Sequence, residues 1–254
     1  MNIIDKCAND SKLRNIEATP KIFFGLILLC ICLCGNKLFL SLTIFVTITF
    51  ITIKISGVKM ETYLRLLRIP LIFLIISIAT VLISVTRNPI GIVNIRFSSY
   101  FLSISRENLI LGFELFFKAL ASVVCLYFIS LTTPLFEIIH FLNKIRIPKF
   151  LTEIMLIMYN FIFILLEAME TIRCAQNIRL GYKNLKTSYN STTMLATSLF
   201  IKAFKHSEDL YNSMEARLFN GEIRLLKINK ICPISYYIFA FGYLISILLI
   251  AKLS

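Results

Sequence analysis

The chain is 254 residues long, 57% hydrophobic and 16% charged, with a mean hydropathy of +0.81 and a formal net charge of +13. A soluble domain carries about a quarter charged residues and cannot hide this much apolar surface, so an ordinary water-soluble fold is excluded and a bilayer is the simplest solvent. The basic residues lie between apolar runs and form no single aromatic-interleaved patch, which argues against nucleic acid and for cytoplasmic loops facing anionic lipid or acidic partners.

Residues 1–21 are polar, with Asp5, Lys6, Asp10, Lys12, Arg14, Glu17 and Lys21, and read as a cytoplasmic N-terminal segment without the short basic head and apolar core of a cleavable signal. Residues 22–133 hold four apolar stretches, each approaching the ~20 residues that cross a hydrocarbon core. Ile22–Cys34 and Leu38–Ile53 form a hairpin around Gly35-Asn36-Lys37. Ile69–Val85 follows, with Pro70 expected in its first turn, where a missing N–H costs nothing. Leu109–Leu131 is closed by Thr132-Thr133-Pro134. A fifth span, Ile234–Ala251, lies in the C-terminal segment 231–254. The hydroxyls of Thr43, Thr47, Thr49, Thr52 and Ser77 are expected to bond to their own helix backbones.

Residues 134–230 read as a cytoplasmic region of amphipathic helices. Leu135, Ile138, Ile139, Leu142 and Ile145 recur at helical spacing before Pro148. A long helix is predicted from Leu151 to Arg179 with Gly181 as its stop, and a shorter one over Ser207–Phe219 with Asn220-Gly221 as terminator. The stretch Phe150–Leu166 is apolar enough to span. If it did, Arg173, Arg179, Lys183, Lys186, Lys202, Lys205, Arg217, Arg224, Lys227 and Lys230 would all lie outside, against the positive-inside bias. The reading is therefore an all-α polytopic protein of about five spans, with six as the alternative.

Chemistry-bearing clusters are few. Of the seven cysteines, Cys30, Cys32 and Cys34 sit inside an apolar run, and helical spacing turns the middle thiol away from the other two. His140 and His206 have no neighbours that make a metal cage, and no Walker A sequence is present. Neither a catalytic residue, a metal site nor a cofactor is expected. Glu114 and Lys118, one turn apart in the fourth span, read as a mutually neutralising pair, with proton coupling as the sharper alternative.

One pattern repeats. Both later cytoplasmic helices end in a small residue, three positions, an arginine and a glycine soon after: Ala175-x-x-x-Arg179-Leu-Gly181 and Ser213-x-x-x-Arg217-Leu-Phe-Asn-Gly221. An arginine in the last turn suits the helix dipole, and a small residue one turn earlier allows close backbone approach. Such a blunt cationic tip suits a groove with a carboxylate at its floor.

The run Thr132-Thr133-Pro134, Leu142-x-x-x-Arg146-Ile147-Pro148, Met158-Tyr159-Asn160-Phe161-Ile162-Phe163, Ala175-Gln176-Asn177-Ile178-Arg179-Leu180-Gly181 and Met214-Glu215-Ala216-Arg217 resembles the CbiQ/EcfT family, in its CbiQ branch. That family comprises the transmembrane T components of energy-coupling factor (ECF) transporters, so the resemblance implies a non-catalytic scaffold, cobalt uptake, two ABC-type ATPase subunits and a CbiM-like or S-component capture subunit as partners. It implies that Ala-Arg-Gly tips on coupling helices dock into the ATPases. The arginines fall on Arg179 and Arg217 and the second alanine on Ala216, while Ile178 replaces the first alanine. Leu180 and Leu218 stand where glycine is usual, and Gly181 and Gly221 follow. The rival readings are a stand-alone secondary transporter or channel, which needs polar residues through several spans or paired broken helices, and a T component shared among vitamin-capture subunits.

Overall fold

The computed structural model describes residues 3–35, 38–82, 84–86, 93–97, 100–104, 106–221, 223, 236 and 241–247. Its helices are α1 (Ile3–Asp10), α2 (Ala18–Cys34), α3 (Leu38–Phe50), α4 (Met60–Leu82), α5 (Arg106–Thr132), α6 (Leu135–Lys144), α7 (Lys149–Ile178) and α8 (Leu185–Ala216). Four helical stretches are long and apolar enough to cross a membrane: Leu38–Ile55, Met60–Leu82, Asn108–Thr132 and Lys149–Ile178; the shorter apolar Ala18–Cys34 joins them. The all-α polytopic expectation holds. Between α4 and α5 the chain adds a small antiparallel sheet of β1 (Ser84–Thr86), β2 (Val93–Phe97) and β3 (Tyr100–Ile104), in the order β1-β3-β2.

Two units separate, one reaching Ile138 and taking in the described residues 241–247, the other spanning Ile139–Ile228. In the first, α5 is the central element, packed by α1, α2, α3 and α4. It buries Leu120, Ala121, Val124, Cys125, Phe128 and Leu131, a stripe at helical spacing, against Leu28 of α2 and Ile44 and Ile48 of α3. Gly25 permits the close crossing of α2 and α5, since a Cβ there would sit 2.5 Å from Ile129 Cγ1. On α4, by contrast, Ile69, Ile72, Phe73 and Ile76 all face outward. A contiguous apolar face of that kind is a liability in water and ordinary in lipid. Of the predicted fifth span, residues 241–247 are helical and Ile247 is buried in the same core; the remainder, apart from Tyr236, lies outside the described residues.

The third span starts earlier than its hydropathy suggests. The helix begins at Met60 and ends at Leu82, so Pro70 is interior and Val85 belongs to β1. An interior proline removes the N–H that would bond the carbonyl four residues back, here Leu66. The Tyr127 hydroxyl of α5 donates to that carbonyl at 3.0 Å, replacing the missing bond from a neighbouring helix. The mid-span hydroxyls otherwise behave as expected: Thr43, Thr47, Thr52 and Ser77 donate to carbonyls of their own helices. Thr49 differs, its hydroxyl pairing with Tyr63 at 3.1 Å.

The N-terminal segment is folded onto this bundle. After α1, a 3-10 turn over Lys12–Asn15 is capped by Ser11, whose Oγ accepts from the Leu13 N–H at 3.1 Å. α3 continues into a π-helical turn, Ile51–Ile55, that presents buried Ser56 to Ser11 at 3.2 Å, while the Lys12 N–H donates to the Ser56 carbonyl at 3.0 Å. Lys21, grouped by sequence with the polar N-terminal segment, has no exposed surface and is the most deeply buried charged residue among the described residues. Its Nζ donates to the Leu13 carbonyl at 3.0 Å and the Thr132 carbonyl at 3.2 Å, and pairs with Glu137 Oε2 at 3.4 Å.

Two measurements test these readings. Lys21→Ala removes the buried ammonium from the Leu13 and Thr132 carbonyls and from Glu137, and breaking one side of a buried pair costs about 3–5 kcal/mol. A large fall in the detergent melting midpoint is expected, largely recovered in Lys21→Met with Glu137→Gln. Tyr127→Phe leaves the Leu66 carbonyl unpaired at a cost of about 1–3 kcal/mol. That cost is expected to shrink in a Pro70→Ala background, where the restored N–H fills the same acceptor; equal costs in both backgrounds contradict the assignment.

Candidate functional site: two arginine-tipped helix ends

The second unit contains α7 and α8, packed on each other. α8 is much longer than the predicted Ser207–Phe219 helix, starting at Leu185. The stretch from Leu185 to His206, rich in Ser, Thr and Asn, lies outside that predicted helix. The helix absorbs that polarity internally, for Thr192, Thr193 and Thr197 donate to the carbonyls of Ser188, Tyr189 and Thr193 at 2.8, 3.0 and 3.0 Å. Its start is fixed by Thr187, whose Oγ1 accepts from the Asn184 N–H at 3.0 Å.

Both sequence-predicted tips are helix C-termini of the same construction. At the end of α7, Arg179 is the cap, the Leu180 N–H donates to the Asn177 carbonyl at 3.0 Å and the Gly181 N–H to the Gln176 carbonyl at 2.9 Å. At the end of α8, Arg217 is the cap, Leu218 donates to Glu215 at 2.9 Å and Phe219 to Met214 at 3.0 Å. These paired bonds form the Schellman motif, which needs a left-handed residue just past the cap. Leu180 and Leu218 fill that position, with φ of 55° and 56°. A side chain there costs about 1–2 kcal/mol, which is why glycine is the usual occupant. The end of α6 repeats the motif with Arg146 at φ 67°. These three are the positive-φ residues other than glycine among the described residues.

The predicted glycines therefore do other work. Gly181 is not the left-handed stop; it lets α8 approach, since a Cβ would lie 2.6 Å from Ser191 Oγ. Ser191 Oγ donates to the Gly181 carbonyl at 2.8 Å, Gln176 Nε2 to the Ser191 carbonyl at 2.9 Å, and the Tyr182 hydroxyl to Gln176 Oε1 at 2.7 Å. The first tip is thus braced against the start of α8. Gly221 has φ 86° with open space where a Cβ would stand, and just beyond the second tip the Ile223 N–H donates to Glu153 Oε1 of α7 at 3.4 Å.

Ala175, Arg179, Ala216 and Arg217 are all exposed, and neither guanidinium forms a salt bridge among the described residues. The two tips do not converge on one pocket. One precedes α8 and the other ends it, and a helix of 32 residues is about 48 Å long. The arrangement offers two separate cationic points, one at the end of α7 and one at the end of α8. Glu114 and Lys118, half-buried on α5, belong to the first unit. Sequence reasoning passed over Lys21 and Tyr127, whose importance depends on orphaned carbonyls that no local pattern announces.

Comparison with known proteins identifies the family. The CbiQ family profile, described as cobalt transport protein, matches residues 9–227. An uncharacterised protein of Methanocaldococcus jannaschii is 30% identical over 253 residues, 100% of this chain and 94% of its own length. A putative fused cobalt transport protein, CbiMQ, of Methanocorpusculum labreanum is 30% identical over 220 residues, 87% of this chain and 37% of the fusion. The energy-coupling factor transporter transmembrane protein EcfT of Lactococcus lactis is 28% identical over 193 residues, 72% of this chain and 71% of that protein. With the profile covering most of its length and its helices long and apolar enough to cross a membrane repeatedly, this chain belongs to the CbiQ/EcfT family of multi-pass cell-membrane transport components.

Proposed function

We propose that the protein is the coupling subunit of an ATP-driven cobalt importer, carrying motion from a pair of ABC-type ATPases to a separate capture subunit in the membrane. The observation that carries this reading is the pair of exposed arginines, without a salt bridge among the described residues, that cap the ends of α7 and α8. The whole of α8, about 48 Å long, lies in the chain between the two tips, which fits two docking grooves, one on each ATPase, better than a single binding site. The fused relative, whose printed name joins CbiM to CbiQ, supports a capture subunit as immediate neighbour.

In this mechanism residues 134–230 lie in the cytoplasm, where their basic excess satisfies the positive-inside bias. Ala175 and Ala216 keep the surface beside each arginine low, so that an acidic groove can close on the guanidinium and form charge-assisted bonds. ATP binding draws the ATPases together and shifts the two tips; α7 and α8 carry that shift toward the spans, where it tilts or releases the capture subunit. The chain itself binds no nucleotide and performs no chemistry, so cobalt is cargo handled by its partner.

Reversing both charges tests the reading. Arg179→Glu with Arg217→Glu is expected to leave folding unchanged, because both side chains are exposed, and to abolish co-purification of the ATPases in mild detergent. A stoichiometric complex retained by that variant contradicts the proposal.

A further inference from the structure

The backbone at each tip favours glycine, yet the chain places leucine there twice. Leu180 is 67% exposed and Leu218 90% exposed, so neither side chain gains burial within the chain in return for its left-handed backbone. Glycine at these positions stabilises the fold, and glycines stand nearby at 181 and 221. The motif does not itself demand an apolar residue, because the same position at the end of α6 is held by Arg146. Each leucine directly follows an exposed arginine, and Ile178 before one arginine and Phe219 beyond the other are exposed as well. Each guanidinium thus emerges from a small apolar collar.

Resting on the docking reading above, we propose that Leu180 and Leu218 are specificity-determining contacts, each entering an apolar pocket beside the carboxylate that receives the neighbouring arginine on an ATPase subunit. A collar that excludes water from a charge pair strengthens it, since attraction grows as the local dielectric falls. The partner groove is therefore an acidic floor with an apolar wall on the side facing the leucine. A groove without that apolar pocket lacks room for the side chain, so the leucines also choose between ATPase pairs.

The test compares two quantities that move in opposite directions. Leu180→Gly and Leu218→Gly are expected to raise the melting midpoint of the purified protein and to weaken its binding to the co-purifying ATPase pair at least about tenfold each, the scale of losing one buried leucine. Leu218→Asn, which tolerates the left-handed region without an apolar side chain, is expected to weaken binding equally, and Leu218→Met to keep it within about threefold. Glycine and asparagine variants that bind as tightly as the parent overturn the inference. So does a loss confined to glycine, which assigns the effect to backbone freedom. If those variants bind normally while Arg179→Glu with Arg217→Glu still loses the ATPases, only the leucine assignment fails. If the arginine variant binds as well, the docking reading falls with it.

Discussion

An ammonium group taken out of water needs an oxygen for each of its protons, and Lys21 finds them at the meeting point of three chain segments. The Leu13 carbonyl comes from the N-terminal 3-10 turn, the Thr132 carbonyl from the end of α5, and the Glu137 carboxylate from the first turn of α6. The positive charge lies at the negative end of the α5 dipole, where the last carbonyls have no helical donor. One side chain therefore closes the central helix, holds the start of α6 to it and orders the segment that precedes the first span. The Ser11–Ser56 bond and the π-helical turn extend the same clasp to the end of α3.

The rest of the first unit obeys the rule that makes this clasp necessary. In an apolar solvent each backbone donor and acceptor must be satisfied from within the protein. Threonine and serine hydroxyls do this locally, by bonding to carbonyls one turn back. Pro70 cannot be repaired locally, so α5 supplies the Tyr127 hydroxyl to the orphaned Leu66 carbonyl. α5 thus provides both the buried apolar stripe and a polar repair, and for that reason α2, α3 and α4 all pack on it.

The second unit follows a different logic, because its long helices are exposed and end in strained caps. Three helix ends share one hydrogen-bond pattern, and in each the left-handed position is held by a residue with a side chain. A feature that costs backbone energy repeatedly at exposed sites points to what those side chains meet outside the chain. The tips are held by different contacts: the first is tied to α8 through Ser191 and Gln176, whereas the chain just past the second bonds through the Ile223 N–H to Glu153 of α7.

Apolar run length was enough to identify the membrane class, and helical periodicity located α5, α6 and α7 to within a few residues, because these signals reside in short-range order. The echo of Arg179 and Arg217 and the resemblance to CbiQ/EcfT proteins were equally legible, since both lie in contiguous residues. The predicted Ser207–Phe219 helix left out the first half of α8, where threonine hydroxyls bond inside the helix, and the apolar run misplaced Pro70, because hydropathy is blind to the amphipathic turns from Met60 to Arg68. Only the tertiary structure could decide that Lys21 is buried, that Tyr127 completes α4, and that leucines and not glycines take the left-handed positions. Each of those outcomes depends on a carbonyl or cap whose partner is selected by folding in three dimensions, and a linear pattern carries no record of which acceptors packing will leave unpaired.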